Sequence, residues 1–207
     1  MKRYIKLAMV GLMLGGVLTG CSEDAASTKA TPHTPVSAEE TESNEQDLKQ
    51  QEQKEYGQWI VDTKELLSNP STDSLLEQAG FDEGFNMYLN ARDFAQEKLA
   101  NIPEGHYNDK DIQNLFMLYA LIEHIQFSRT AHLGENGEAI EAAELADQWE
   151  PTPDKMRQAY DYMLQILNDL DVAVNRDGKG ETFGVTHQLN GEHVGTLELF
   201  WSGNGEE

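Results

Sequence analysis

Glu123 and His124 are the side chains of this sequence best suited to chemistry, because they lie side by side in an apolar segment, IQNLFMLYALIEHIQF. A carboxylate that faces a protein core is disfavoured in its charged form, so it needs a partner such as Tyr119, His124 or Arg129. A cluster of this kind inside a helical bundle can bind a ligand or a metal, or supply the acid and base of a hydrolase. The sequence favours the plainer alternative, which is a solvent-facing strip or a structural hydrogen bond.

No motif of a known catalytic or cofactor site accompanies this pair. The chain lacks HExxH, GxSxG, Walker and GxGxxG patterns. The segment from Asn175 to Gly178 has part of an EF-hand pattern, but Ala173 and Gly184 then occupy the first and last ligand positions. We therefore predict no catalytic, cofactor or metal residues, and Glu123 and His124 form a candidate ligand site.

The first twenty residues have the layout of a bacterial export signal. A basic start, MKRYIK, precedes an apolar run over residues 7–17 that is too short to cross a bilayer as a helix. The run ends in Leu18-Thr19-Gly20-Cys21, which resembles the lipobox of bacterial lipoproteins. An ordinary secretory signal with an unrelated cysteine is the alternative, and the lack of an A-x-A site argues against it.

The lipobox resemblance implies that Cys21 receives a diacylglycerol and becomes the first residue of the mature protein. Two acyl chains are enough for stable anchoring, whereas one is marginal. The resemblance thus implies the extracytoplasmic face of the cell membrane, with the lipid bilayer as a partner. Because Cys21 is the only cysteine, the remaining domain has no disulfide and no zinc-thiolate site, and must be stabilised by packing.

Composition divides the rest of the chain. Residues 22–48 contain no aromatic residue and are too polar to repay the entropy of ordering. We therefore predict a lipidated cysteine and disordered tether over residues 21–48. Residues 49–202 are long enough for one domain with its own core, and residues 203–207 form a tail.

The apolar pattern of residues 49–202 is helical almost throughout, which predicts an all-α fold, a single bundle of about five to six helices. The predicted helices are Trp59 to Leu67, Phe81 to Ile102, a central helix from Asp111 to Leu133, an Ala-rich helix from Glu138 to Trp149, and a long helix that follows Pro153. Asn108 or Asp109 is expected to cap the central helix and Gly134 to end it in the left-handed conformation. Thr152 is expected to cap the long helix.

Asn190-Gly191 leaves two alternatives for the C-terminal region. The pair can form the turn of a short β-hairpin that joins residues 182–189 to residues 192–200, although the apolar faces of those strands would be mismatched. Alternatively, Asn190 caps a last helix that places Val194, Leu197 and Trp201 on one side. We favour the helix, with Gly195 counting against it.

The charge of the chain excludes one class of partner. The sequence has 15 basic and 37 acidic residues, and removing the three cations of residues 1–20 leaves 12 against 37, a balance of −25. We therefore predict that the protein does not bind nucleic acid. Acidic residues recur at every third position in Glu135, Glu138, Glu141, Glu144, Asp147 and Glu150. They predict a solvated face or, alternatively, a docking ridge for a cationic protein partner or divalent cations.

Two classes of function follow from these observations. The first is a membrane-anchored, noncatalytic interaction or ligand-binding module of unknown specificity. The second is an envelope hydrolase or metal-binding protein that uses the Glu/His cluster of the central helix. An open pocket lined by Glu123 and His124 would favour an enzyme or a ligand-binding protein, whereas a closed core would favour an interaction module.

Overall fold

The structure, a computed structural model, describes residues 38–134 and 143–203, with side chains from residue 46 onward. Helices are the only regular secondary structure within those ranges, which confirms the predicted all-α bundle. The predicted export signal, Cys21, the first part of the tether and residues 135–142 lie outside the described residues. None of the described helices has the length and apolar character needed to span a membrane.

The described ranges contain α-helices and shorter helical turns. The α-helices are α1 (Ala38–Ser68), α2 (Ser74–Gln78), α3 (Glu83–Asp93), α4 (Lys110–Thr130), α5 (Asp154–Asn175) and α6 (Val194–Ser202). Three elements extend them: a π-helical segment (Phe94–Lys98) and a 3-10 turn (Leu99–Asn101) after α3, and a 3-10 turn (Ala131–Leu133) after α4. A further 3-10 segment, Ala143–Gln148, precedes α5.

Two helices, α4 and α5, share the centre of the bundle. Helix α5 packs against α1, α3 and α4, while α4 packs against α3, α5 and α6. Leu118 and Ile122 of α4 and Met163 and Leu170 of α5 are fully buried. The predicted central helix is therefore present, but it is buried on one side only, since Phe116 and His124 on its other faces are exposed.

Helix α1 begins before the end of the predicted tether. Its first residue is Ala38, so the prediction of disorder is corrected for residues 38–48, which are helical. All side chains from residue 46 to residue 55 are exposed, and Tyr56 is the first buried residue. The apolar pattern could not indicate this part of α1 because it buries no face. Its Glu, Gln and Lys residues have high helix propensity and extend a helix whose later turns are packed.

Helices α2 and α3 and the Ala-rich segment before α5 also differ from the prediction. Phe81 does not belong to the predicted helix: it has a positive φ of 62° and is 71% exposed, and α3 begins only at Glu83. The short helix α2 was not predicted, because five residues are too few for a periodic pattern. The described part of the predicted Ala-rich helix, Ala143–Gln148, is a 3-10 segment rather than an α-helix.

Two predicted caps have other roles. Asp109 is the N-cap residue of α4, but its Oδ2 lies 2.8 Å from Nδ1 of His106 and makes no capping hydrogen bond. Thr152 accepts a hydrogen bond at 3.0 Å from the backbone N–H of Gly84, so its hydroxyl joins α3 to the start of α5. Gly134 has a φ of −87°, so the prediction of a left-handed stop there is wrong.

The C-terminal region ends in a helix, as favoured, and no strand occurs in residues 143–203. Val194 and Leu197 of α6 are buried and Trp201 is half-buried, which confirms the predicted inner face. The predicted cap is wrong, because His193 is the N-cap residue. Asn190 instead lies in the preceding turn with a φ of 51°.

Candidate functional site

The loop between α5 and α6 is held in place by two buried carboxylates. The two oxygens of Asp169 accept hydrogen bonds from the backbone N–H groups of Phe183 and Val185, at 2.7 and 2.9 Å. Asp111 accepts the N–H groups of residues 187–188, at 2.7 and 3.1 Å. Burial raises the pKa of Asp111, and these hydrogen bonds oppose that shift. The two carboxylates fix the path of the chain that leads into α6.

Glu123 and His124 lie on the surface side of α4. Glu123 is half-buried, and its Oε1 accepts a hydrogen bond from the Tyr119 hydroxyl at 2.8 Å, whereas His124 is exposed. Burial, followed by the hydrogen bond from Tyr119 to Glu123, raises the pKa of Tyr119 to about 12. This is the arrangement expected of a structural hydrogen bond. No group of three His, Cys, Asp or Glu side chains in the described residues is placed to hold a metal ion.

A cleft of about 750 Å³ lies between α4 and α6. Small-molecule sites in proteins have volumes of roughly 300–1,000 Å³. Phe116 and Met117 line the α4 side of the cleft, and Leu199 and Trp201 line the α6 side. Two of these side chains are strongly exposed for apolar residues, with Phe116 at 44% and Leu199 at 51%. Phe116 and Leu199 therefore belong to an open apolar surface rather than to the core.

Gly195 keeps the cleft open on the α6 side. Gly195, Glu198, Leu199 and Ser202 line the cleft and follow one another at helical spacings of three, four and seven, so they share one face of α6. A Cβ placed on Gly195 would meet no atom within 4 Å. Gly195, which counted against a helix in the sequence, therefore leaves open space on the α6 side of the cleft.

Asn114 is the buried polar residue of this cleft. It is 3% exposed, and its Oδ1 accepts a hydrogen bond from the Trp201 indole Nε1 at 3.2 Å. Because an indole N–H can only donate, the amide oxygen must face Trp201. The amide Nδ2 has no hydrogen-bond partner among the described residues. An unpaired buried donor costs about 1–3 kcal/mol, so an acceptor supplied by a ligand would be favoured there.

One end of the cleft is polar. Lys110, the first residue of α4, and Glu198 both line it. Glu198 Oε1 lies 2.8 Å from Nε2 of His187, whose backbone N–H is bound by Asp111 near the start of α4. The charged groups thus lie towards the N-terminus of α4, and the cleft has both an apolar body and a polar end.

Comparison of this chain with protein-family models, curated proteins and solved structures found no match. The chemistry of the cleft is therefore the basis of the functional conclusion. Sequence reasoning placed Trp201 on the inner side of the last helix but did not identify Asn114. The only available indication was a polar residue within an apolar stretch of α4.

Proposed function

We propose that this protein is a lipid-anchored binding protein of the extracytoplasmic face of the cell membrane, which holds a small amphipathic ligand in the α4–α6 cleft. The observation that carries the proposal is Asn114, a residue that lines the open apolar cleft and whose buried amide Nδ2 has no partner among the described residues. Ligand sites commonly combine apolar walls with a few placed polar groups. The cleft has this composition.

The ligand's chemistry follows from the groups that line the cleft. An apolar body would contact Phe116, Met117 and Leu199, and a carbonyl or ether oxygen would accept a hydrogen bond from Asn114 Nδ2. The chain's strong negative charge opposes the approach of an anion. We therefore expect a neutral or cationic ligand.

The anchor rests on Cys21 and its lipobox. An export signal followed by a lipidated cysteine would keep the domain at a membrane surface, where amphipathic molecules concentrate. The proposal retains the predicted absence of nucleic acid as a partner, since a chain with 37 acidic and 15 basic residues would be repelled by phosphates.

Gly195→Phe should close the cleft and weaken binding of Nile red, a neutral apolar dye with a carbonyl acceptor, by at least about tenfold, equivalent to about 1.4 kcal/mol. A Cβ at this position would meet no atom within 4 Å and the residue faces the open cleft, so the fold should persist. Gly195→Ala is the matched control: it should keep the dye site open and add about 0.5–1 kcal/mol of stability through helix propensity. Fluorescence titration and urea unfolding provide the two measurements.

Asn114→Leu separates the contribution of the amide from that of the apolar walls. The variant should weaken Nile red binding several-fold, because it removes the donor while keeping similar volume. Equal affinity of the wild type, Gly195→Phe and Asn114→Leu proteins for the dye would show that the cleft is not the site.

Cys21→Ser should abolish labelling of the protein by a palmitate analogue in the bacterial host and leave the precursor uncleaved or released. The thiol is the atom that the lipobox resemblance assigns to the diacylglycerol. Intact-mass analysis of the membrane fraction measures both changes. A mature wild-type N-terminus at another residue, without acyl chains, would contradict the anchor.

A further inference from the structure

A second cavity of about 340 Å³ lies at the N-terminal end of α4. It is lined by Tyr56 from α1, by Asp109, Lys110 and Asp111 at the start of α4, and by residues 187–188 of the loop before α6. We call this cavity the Tyr56 chamber. Three segments that are distant in the sequence build it, so its shape depends on the tertiary fold.

Tyr56, one of the residues that line the chamber, carries a buried hydroxyl group that no described residue satisfies. Tyr56 is 2% exposed, and its hydroxyl has no hydrogen-bond partner in the described part of the chain. The ring is firmly placed, since it stacks on His106 with 3.6 Å between ring centroids and 5° between planes. A buried hydroxyl without a partner is unfavourable, so a bound polar group would be stabilised there.

The electrostatic environment of this hydroxyl is negative. Burial raises the pKa of Tyr56 well above its ordinary value, and the negative charges of Asp109 and Asp111 raise it further. Asp111 already accepts two backbone N–H groups. Asp109 uses Oδ2 towards His106, and its Oδ1 makes no hydrogen bond with any described residue. A neutral hydroxyl and a carboxylate oxygen therefore both lack a hydrogen-bond partner among the described residues.

Other charged groups around the chamber leave this preference unchanged. His187 is paired with Glu198, and His106 is paired with Asp109. Lys110 is the one cation among the lining residues, and its long side chain is exposed and can turn towards water. The described residues contain no three-ligand group for a metal ion. An organic ammonium group needs only negative potential and hydrogen-bond acceptors.

We propose that the Tyr56 chamber binds an organic cation through a primary ammonium group, which donates hydrogen bonds to the Tyr56 hydroxyl oxygen and to Asp109 Oδ1. The chamber adjoins the polar end of the α4–α6 cleft, since Lys110 lines both. Its proposed hydrogen-bonding groups are not cleft residues, however, and the inference does not depend on the function proposed for the cleft. It assigns a role to a buried hydroxyl that packing alone leaves unexplained.

The test uses the purified full-length mature protein and 1,4-diaminobutane as the probe, with 1,4-butanediol as its neutral counterpart. Calorimetric titration at an ionic strength of about 0.15 M, where surface attraction is screened, should show saturable binding of the diamine and none of the diol. Tyr56→Phe and Asp109→Asn should each weaken diamine binding about tenfold. Tyr56→Phe should keep the wild-type melting temperature, because it retains the stacked ring and removes a hydroxyl that has no partner.

Gly195→Phe serves as the control for the other site and should bind the diamine as the wild type does, even where Nile red binding is lost. Equal binding of diamine and diol, or unchanged diamine binding by Tyr56→Phe, would overturn the proposal. Complete displacement of the diamine by an equimolar amount of Mg²⁺ or Ca²⁺ would also overturn it, since the chamber would then be a divalent-cation site.

Discussion

Arg129→Ala is expected to lower the free energy of unfolding by about 3–5 kcal/mol, because it leaves a partly buried carboxylate and a backbone carbonyl without their partner. Arg129 is 3% exposed. Its Nη1 and Nη2 donate to the two oxygens of Asp82 at 2.9 and 2.8 Å, and its Nε donates to the backbone oxygen of Glu150 at 2.7 Å. The single side chain therefore joins α4 to the start of α3 and to the segment before α5.

The position of this guanidinium is closely constrained. Asp82 also accepts the N–H of Phe85, which caps α3, so losing the arginine disturbs a helix start as well as an ion pair. A Cβ on Gly84 would lie 2.4 Å from Arg129 Nη1, so only glycine allows this approach. The guanidinium carbon also lies 5.7 Å from the ring centre of Trp149, within the range of a cation–π contact.

Arg157→Ala is the matched control, because Arg157 of α5 pairs at the surface with Glu83, the residue that follows Asp82 at the start of α3. Nη2 and Nε donate to Glu83 Oε2 at 2.7 and 2.9 Å, and the two side chains are 42% and 53% exposed. Exposed pairs of this kind add little stability. In urea, Arg157→Ala should unfold near the wild-type midpoint and Arg129→Ala far below it. Similar midpoints for both variants would show that burial of the Arg129 pair is not decisive.

The partner of Arg129 could not be predicted from the sequence. The sequence suggested Arg129 as one partner of Glu123, if that glutamate faced the core. Six residues are not a whole number of helical turns, so the two side chains lie on different faces of α4. Glu123 pairs with Tyr119 one turn earlier, and Arg129 reaches a residue 47 positions away. Local spacing predicts contacts within a helix but not the long-range partner.

The helices themselves were predictable because their buried faces repeat along the sequence. Helix α5 is the clearest case, with Met156, Met163 and Leu170 buried at intervals of seven. The caps failed where a polar side chain serves tertiary structure instead, as Thr152 does for Gly84. The cleft depends on where α6 lies against α4. That placement follows from the loop, and the sequence gives no periodic indication of it.

The anchoring of that loop leads to the second large effect, expected for Asp169→Ala. Asp169 is fully buried on α5, and removing its carboxylate would leave the N–H groups of Phe183 and Val185 without acceptors. An unsatisfied buried group costs about 1–3 kcal/mol, and the Phe183 bond is only partly buried, so the expected loss of stability is about 2–5 kcal/mol. Asp161→Ala on the same helix is the control. Its carboxylate is exposed and, among the described residues, accepts a hydrogen bond only from Gln165, so the unfolding midpoint should barely change.

Asp169→Ala should also weaken ligand binding at the α4–α6 cleft, because the loop that Asp169 holds leads directly into α6. Hydrogen exchange should show lost protection at the amides of Phe183 and Val185 in Asp169→Ala, and Nile red binding should weaken although no residue of the cleft has changed. Asp169→Asn keeps one acceptor oxygen and should give an intermediate result in both measurements. If Asp169→Ala retains amide protection and the wild-type midpoint, the loop is held by other contacts. The position of α6 would then not depend on this carboxylate.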